Sequence, residues 1–221
     1  PPPHFNDPAP PEIYTAGHSS AASDVYKRQV VHTVRAFDID IEAFHRFLRS
    51  MTMDLTVESY ATWDDLLVYM DGSAAVIGEM MLPILEPTDY DAALPHARDL
   101  GNAFQLTNFL RDIDEDLDRG RQYIPMDDTD RFGVDLTMRQ VTPEFVELMQ
   151  FEIDRCRELY RSAEIGIAML PDRSAKCVGA AHALYGRILD KIEAQQYDVF
   201  TSRASVSTTE KAVMVTRLLR P

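Results

Sequence analysis

The stretch QLTNFLRDIDEDLDRGRQYIP, Gln105 to Pro125, decides the fold prediction because it carries oxygen-bearing side chains inside an apolar helical pattern. An α-helix advances by about 100° per residue, so side chains three or four residues apart share one face. Four polar side chains thereby form one narrow stripe: Gln105, Asn108, Asp112 and Asp116. Apolar side chains flank the stripe and would pack the helix into a bundle: Phe104, Leu106, Phe109, Leu110 and Ile113.

The stripe has the chemistry of a magnesium site. Asp112 and Asp116 are neighbours on the helix and repel each other unless a cation lies between them. Hard oxygen ligands suit Mg²⁺, which completes its coordination with water and phosphate oxygens. Nearby arginines could neutralise a diphosphate: Arg111, Arg119 and Arg121. An acidic helix end that simply faces water has the same pattern, so the spacing alone leaves both interpretations open.

Composition is that of an ordinary globular domain. The 221 residues can bury a sizeable core in one domain. With 36 acidic and 22 basic residues, the net charge of −14 argues against nucleic acid and against electrostatic binding to anionic lipid. No uninterrupted run reaches the roughly 18 apolar residues of a membrane span, and no signal-peptide pattern is present. The two cysteines fit a reducing compartment, and the six dispersed histidines are assigned no chemistry. A cytoplasmic enzyme is the default expectation.

Helix signals recur along the chain. Helices are predicted after Asp40, from Thr62 toward Pro83, and from Thr88 to about Gly120 with a kink or break at Pro95. Thr142 followed by Pro143 begins another, and the last two are expected at about 174–195 and 208–219. Residues 120–137 are predicted to form a mobile lid. The pattern predicts an all-α bundle.

Three segments resemble the squalene/phytoene synthase family, in the right order. ARDLGNAFQLTNFLRDIDEDLDRGRQYIP, Ala97 to Pro125, is similar to the family's second aspartate-rich motif. YATWDDLLVYMDGSAAVIGEMMLPIL, from Tyr60, resembles the preceding helix and reads most like bacterial phytoene synthases. ALYGRILDKIEAQQYDVFTSRASVS, from Ala183, resembles the late helix and the tail that closes the pocket. The family often has Tyr or Arg where this chain has Asp71-Gly72-Ser73.

The resemblance implies an isoprenoid-synthase-type helical bundle around a central apolar cavity. The implied activity is Mg²⁺-dependent, head-to-head joining of two geranylgeranyl diphosphates to phytoene through a cyclopropyl diphosphate, in carotenoid biosynthesis. Two alternatives remain: a synthase that makes squalene, presqualene diphosphate or hydroxysqualene from farnesyl diphosphate, or a non-catalytic scaffold. The implied partner is a prenyl diphosphate rather than nucleic acid. The protein is expected in the cytoplasm, including peripheral association with the inner face of the membrane.

Matched motif positions imply roles for individual residues. Asn108, Asp112 and Asp116 are the implied magnesium ligands, with Glu115 as a weaker candidate. The remaining implied roles are substrate or diphosphate contacts for Gln105 and Arg111, and a pocket position near the reacting diphosphate for Tyr197. Small residues facing Phe104 are expected to form the cavity wall, although close helix packing explains them equally well: Ala74, Ala75, Val76 and Gly78.

The first 29 residues are predicted to be a disordered or artefactual leader, and residues 30–221 a partial domain. Proline is dense at the start, and Asp24 to Gln29 can be back-translated as GATGTGTATAAGAGACAG. That sequence resembles the end of a transposase-based sequencing adapter, which suggests a scar over Ser23 to Gln29 and a family match that begins abruptly at Val30. The family's earlier D-x-x-x-D motif should precede Val30, so we expect the printed chain to be truncated and inactive.

Overall fold

The computed structural model describes residues 19–218, and within them the chain forms ten α-helices. Their bounds are α1 Ser19–Ala36, α2 Ile41–Met53, α3 Trp63–Met70, α4 Val76–Leu85, α5 Tyr90–Arg111, α6 Ile113–Asp118, α7 Met126–Phe132, α8 Pro143–Ile167, α9 Asp172–Ala194 and α10 Thr208–Leu218. A π-helical segment, Asp71–Ala75, joins α3 to α4, and a 3₁₀ turn spans Leu136–Met138. The described residues contain no strand beyond one isolated bridge between Ser59 and Gln122. The predicted all-α class is confirmed.

The chain separates into two compact units. The first ends at Ile41 and contains α1, and the second begins at Glu42 and contains the helices from α2 onward. Residues 19–29, assigned above to a disordered or artefactual leader, lie in helix α1, while residues 1–18 of that leader lie outside the described residues. The presence of helix α1 concerns the expectation of disorder and says nothing about the origin of the sequence. The hypothesis of an adapter scar over Ser23 to Gln29 therefore stays a prediction.

Helix starts follow the predicted caps closely. Thr62 and Asp65 form a reciprocal capping box at α3, and the Thr142 hydroxyl accepts a hydrogen bond from the Phe145 amide at α8. Helix α5 begins after Asp89 rather than Thr88. It runs unbroken through Pro95, so a break there is wrong, while a kink stays a prediction. Pro95 lies in the second turn, where the missing amide costs one hydrogen bond early in a long helix.

Helices α5 and α8 form the centre of the core. Their buried faces carry Leu106, Leu110, Leu148 and Ile153, all at most 1% exposed. Helix α9 adds Leu189 and Ile192 to the same cluster. This packing fixes α5, which carries the polar stripe, against its neighbours. The predicted lid contains helix α7 and is tied down by backbone hydrogen bonds from Gln122 to Glu58 and from Met126 to Tyr60. Its mobility stays a prediction.

The atypical Asp71-Gly72-Ser73 segment forms the start of the π-helical turn and joins an ion-pair network. The Asp71 carboxylate accepts hydrogen bonds from Arg46 (2.7 Å) and Arg98 (2.6 Å), and both arginines also donate to Glu79. The two guanidinium groups lower the pKa of Asp71, with Arg46 contributing most. The negative charge of Asp71 is therefore neutralised by Arg46 on α2 and Arg98 on α5.

The continuous helical stretch from Trp63 to Leu85 has the length and apolar composition of a membrane span, since it contains an 18-residue window with a mean hydropathy of 1.3. Core helices of soluble proteins meet the same criteria. In this structure the stretch contributes Leu66, Met70 and Leu82 to the buried interior, and its Asp71 and Glu79 belong to the ion-pair network. Part of the apolar surface of this stretch is therefore buried in the core of the helical bundle.

Glu152 on α8 predicts an unusual pH dependence of stability. Its side chain is fully buried beside Arg155 and Asp128, and burial raises its pKa to about 8. The folded state therefore keeps a proton that the unfolded chain releases from about pH 4.5 upward, so stability should fall as pH rises from 4.5 to 8. Glu152→Gln, which mimics the protonated form, should flatten that profile and raise the unfolding free energy at pH 8 by on the order of 2 kcal/mol.

Urea unfolding at pH 5 and pH 8 measures this effect. The matched control is Glu147→Gln, which alters an exposed carboxylate on the same helix and should leave the profile unchanged. Equal pH dependence in Glu152→Gln and the wild-type protein would contradict the assignment.

Candidate functional site

The polar stripe spans a junction between two helices rather than one uninterrupted helix. Helix α5 ends at Arg111 and α6 begins at Ile113, with Asp112 between them at φ −106° and ψ 17°. The Asp112 amide still donates to the Asn108 carbonyl (2.9 Å), and the Asp116 amide donates to the Asp112 carbonyl (2.9 Å). Helical spacing thus survives the junction. Asn108, Asp112 and Asp116 keep the four-residue register that the sequence predicts.

Two arginines hold the Asp112 carboxylate. Arg111 donates to its two oxygens at 2.8 and 2.6 Å, and Arg203, in the segment between α9 and α10, donates to them at 2.7 and 3.0 Å. Burial alone would raise the pKa of Asp112, but hydrogen bonds from the two guanidinium groups outweigh it and the pKa is lowered. Arg203 also lies 3.3 Å from Glu115. We call the part of the site that contains Asn108, Asp112 and Asp116 the acid end. It therefore carries at least two cationic side chains, Arg111 and Arg203.

Asp116 is poorly compensated by comparison. Its side chain is 14% exposed, and its ion pair is with Arg119 at 3.3 Å. Burial, reinforced by the charge of Asp112, raises the pKa of Asp116 to about 6. Two neighbouring carboxylates whose repulsion raises a pKa are a chemical setting that a divalent cation would relieve.

The donor set fits magnesium in kind and number. Among residues 19–218, no group of three His, Cys, Asp or Glu side chains is arranged as a metal cluster. The stripe instead offers two carboxylates and the Asn108 amide. Neither Asn108 nor Gln105 makes a side-chain hydrogen bond within the part of the chain that the structure describes, so both amides remain available. Mg²⁺ typically binds only a few protein oxygens, and water and phosphate oxygens occupy its remaining coordination positions.

An apolar cavity of about 260 Å³ lies among α4, α5, α8 and α9. Its lining consists of Ile77, Gly78, Met81, Leu82, Leu85, Ala93, His96, Ala97, Leu100, Gly101, Phe104, Ala163, Gly166, Ile167, Leu170, Cys177, Val178 and Ala181. Phe104 lies toward the acid end, since it precedes Asn108 by one helical turn on α5. The cavity therefore extends from Phe104, about 12 Å before Asp112 along the helix axis, toward the start of α5.

The predicted cavity wall is placed only in part. Gly78 and Phe104 line the cavity, as expected. Ala74, Ala75 and Val76 are buried but are not among its lining residues. Ala74 instead meets α5 so closely that a Cβ added at Gly101 would lie 2.4 Å from the Ala74 carbonyl oxygen. Close helix packing accounts for this alanine, and a substrate contact by Ala74 or Ala75 stays a prediction.

Tyr197 and Tyr185 lie in different surroundings. Tyr197 adopts φ 62° and accepts a hydrogen bond from Gln150 (3.2 Å) rather than contacting the acidic stripe. Tyr185 packs on Phe104 with ring centroids 4.4 Å apart. Tyr185 therefore lies beside a residue that lines the cavity, and the pocket role of Tyr197 stays a prediction.

Sequence reasoning missed Tyr185 and Arg203. Tyr185 shares a helical face with the cavity-lining residues Val178 and Ala181 of α9, and that spacing was a usable signal. Arg203 reaches Asp112 across 91 residues of sequence, a contact that no local pattern announces.

Comparisons with known proteins identify relatives of this chain. A family model described as squalene/phytoene synthase matches residues 9–210. The phytoene synthase of Arthrospira platensis is 39% identical over 215 aligned residues, covering 90% of this chain and 69% of that protein. The chloroplastic phytoene synthase 1 of Solanum lycopersicum is 37% identical and covers 82% of this chain. The crystal structure of a dehydrosqualene synthase in complex with ligand superposes with a TM-score of 0.76 and 27% identity, covering 82% of this chain and 65% of that one.

The extent of these matches corrects one expectation. The family model begins at residue 9, upstream of the predicted start at Val30, so a match that begins abruptly after Gln29 is wrong. The chain spans only 46% of the length of the tomato protein, about half of that relative.

Proposed function

The chain belongs to the squalene/phytoene synthase family, and we propose that the intact protein joins two geranylgeranyl diphosphates head to head to form phytoene, through a cyclopropyl diphosphate. The observation that carries this proposal is the juxtaposition of a charged end with an apolar cavity. Arg203 contacts Asp112 at that end, and Phe104, two helical turns before Asp112 on α5, lines the cavity and packs against Tyr185. A prenyl diphosphate likewise has a charged group, which suits the acid end, and an apolar chain, which suits the cavity.

The charged end would bind and stabilise the departing diphosphate. Asn108, Asp112 and Asp116 would hold Mg²⁺, which supplies charge stabilisation to diphosphate oxygens when bound. Arg111 and Arg203 add guanidinium groups that match phosphate oxygens in a bidentate geometry. When the allylic carbon–oxygen bond breaks, its electron pair leaves with the diphosphate, so positive side chains at this end favour the step.

The cavity would protect the carbocation that remains. Its lining is almost wholly apolar, which excludes water from the allylic cation until the double bond of the second chain attacks it. Phe104 and Tyr185 present aromatic rings at the junction, where a ring face can stabilise a cation. Transfer of a proton to an oxygen of the departed diphosphate then closes the cyclopropane ring. Departure of the second diphosphate, rearrangement of the resulting cation and transfer of a second proton to diphosphate would give phytoene. No nucleophilic side chain is required.

Location and metal identity belong to the same proposal. We propose Mg²⁺ as the metal and a cytoplasmic site with peripheral association at the inner face of the membrane, because the chains are apolar. The net charge of −14 argues against an electrostatic contribution from anionic lipid, so that association would rest on apolar contacts.

Labelled geranylgeranyl diphosphate tests the function. The purified chain should retain the label with Mg²⁺ and release it when the metal is chelated, and phytoene in the organic extract would establish turnover. Mg²⁺-dependent retention without hydrocarbon would support the diphosphate site and overturn turnover by this chain alone. Preference for farnesyl diphosphate would favour the squalene-type alternative, and absence of any Mg²⁺-dependent retention would overturn the proposal.

A further inference from the structure

His96 is a polar side chain in the far part of the apolar cavity. It lies on α5 about 24 Å from Asp112 along the helix axis, and among the lining residues of α5 only Ala93 is farther from the acid end. Cys177 on α9, which is exposed, is the other residue of the cavity lining whose side chain carries a polar group. An imidazole is therefore built into a wall that is otherwise apolar.

A chain of two hydrogen bonds holds the His96 ring. The Ser162 hydroxyl donates to the Asp99 carboxylate (2.5 Å), and His96 Nδ1 lies 2.8 Å from the same hydroxyl oxygen. Because a carboxylate only accepts, the Ser162 proton is committed to Asp99, and Nδ1 must donate to Ser162. This fixes both the tautomer and the orientation of the ring. Nε2 has no hydrogen-bond partner among the described residues.

Gly166 provides the space that this arrangement needs. A Cβ added at Gly166 would lie 2.5 Å from the Cβ of His96, so helices α5 and α8 approach closely at this level. The ring cannot withdraw toward α8 without displacing that helix. His96 is consequently a fixed part of the cavity wall rather than a side chain that swings freely.

We propose that His96 is a specificity-determining residue that sets how long an apolar chain the cavity accepts, and that Ser162 and Asp99 are its positioning residues. The identification of that chain as a prenyl group rests on the proposed function. A chain anchored at the acid end must pass Phe104 before it reaches His96, so the ring acts on the distal units of the chain and not on the reacting carbon. Its removal should admit a longer chain, and enlargement should exclude one.

The test uses farnesol and geranylgeraniol, which differ by one isoprene unit and lack the diphosphate. Their affinities for the purified full chain are measured by displacement of anilinonaphthalene sulfonate. Relative to wild type, His96→Ala should shift the preference toward geranylgeraniol by roughly tenfold, and His96→Phe should shift it toward farnesol by a similar factor. Ser162→Ala should shift it in the same direction as His96→Ala, and Ser162→Thr, which keeps the hydroxyl, should restore it.

The matched control is His182→Ala on α9. His182 is also half-buried and lies 3.2 Å from the Tyr160 carbonyl, but it does not line the cavity, so the chain-length preference should be unchanged. An unchanged preference in both His96 variants, or failure of the wild-type chain to bind either alcohol, would overturn the proposal. If the alcohols show the shift while geranylgeranyl diphosphate is not retained with Mg²⁺, the chain-length role stands and the proposed function fails.

Discussion

Replacing Asp112 with asparagine should weaken Mg²⁺-dependent binding of geranylgeranyl thiodiphosphate by roughly a hundredfold or more, since loss even of groups that only orient a metal ligand costs 10–100-fold. Asp112 is the central member of the stripe and is 15% exposed, so water replaces its charge poorly. The same change releases Arg111 and Arg203 from the carboxylate. Binding measured without Mg²⁺ should therefore be retained or strengthened. Calorimetric titration with and without the metal separates the two effects.

Asp114→Asn is the matched control for this prediction. Asp114 lies on α6 between the two stripe residues, but its carboxylate pairs with Arg139 at 2.7 Å. Its replacement removes one negative charge from the same helix without touching the stripe, so affinity should change less than twofold. Equal losses in the two variants would indicate a general charge effect and refute a specific metal site.

The bundle was predictable because its signals are local. Caps such as Thr62 and Thr142 announce helix starts through hydrogen bonds made within three residues, and the structure contains both. Helical apolar periodicity identified α5, whose Leu106 and Leu110 are fully buried. The break expected at Pro95 failed because packing of the long α5 against α8 outweighs one missing hydrogen bond.

The candidate site was predictable only along one helix. The register of Asn108, Asp112 and Asp116 follows from spacing, and the backbone hydrogen bonds preserve it across the α5–α6 junction. Contacts between distant segments were not predictable, so the contact of Arg203 with Asp112 and the packing of Tyr185 on Phe104 were missed. Small residues were ambiguous for the same reason. Ala74 and Gly78 have similar neighbours in sequence, yet only Gly78 lines the cavity.

Gly78→Ala is expected to destabilise the fold by about 3 kcal/mol, which corresponds to a fall in melting temperature of roughly 6–12 °C. A Cβ at Gly78 would lie 2.0 Å from the Ala97 carbonyl oxygen and 2.6 Å from its carbonyl carbon. Both atoms are helix backbone, which cannot rotate aside as a side chain can. Helices α4 and α5 would have to separate, and the loss should appear in thermal unfolding followed by circular dichroism.

Gly186→Ala isolates this effect from the helix propensity of alanine. Gly186 lies inside α9, and a Cβ there would meet nothing within 4 Å, so alanine should stabilise that helix by up to about 1 kcal/mol. The two substitutions add the same methyl group and should shift stability in opposite directions. Similar melting temperatures for both variants would mean that α4 and α5 tolerate separation. Because Gly78 and Ala97 also line the cavity, the close approach that Gly78 permits determines the width of the space available to an apolar chain.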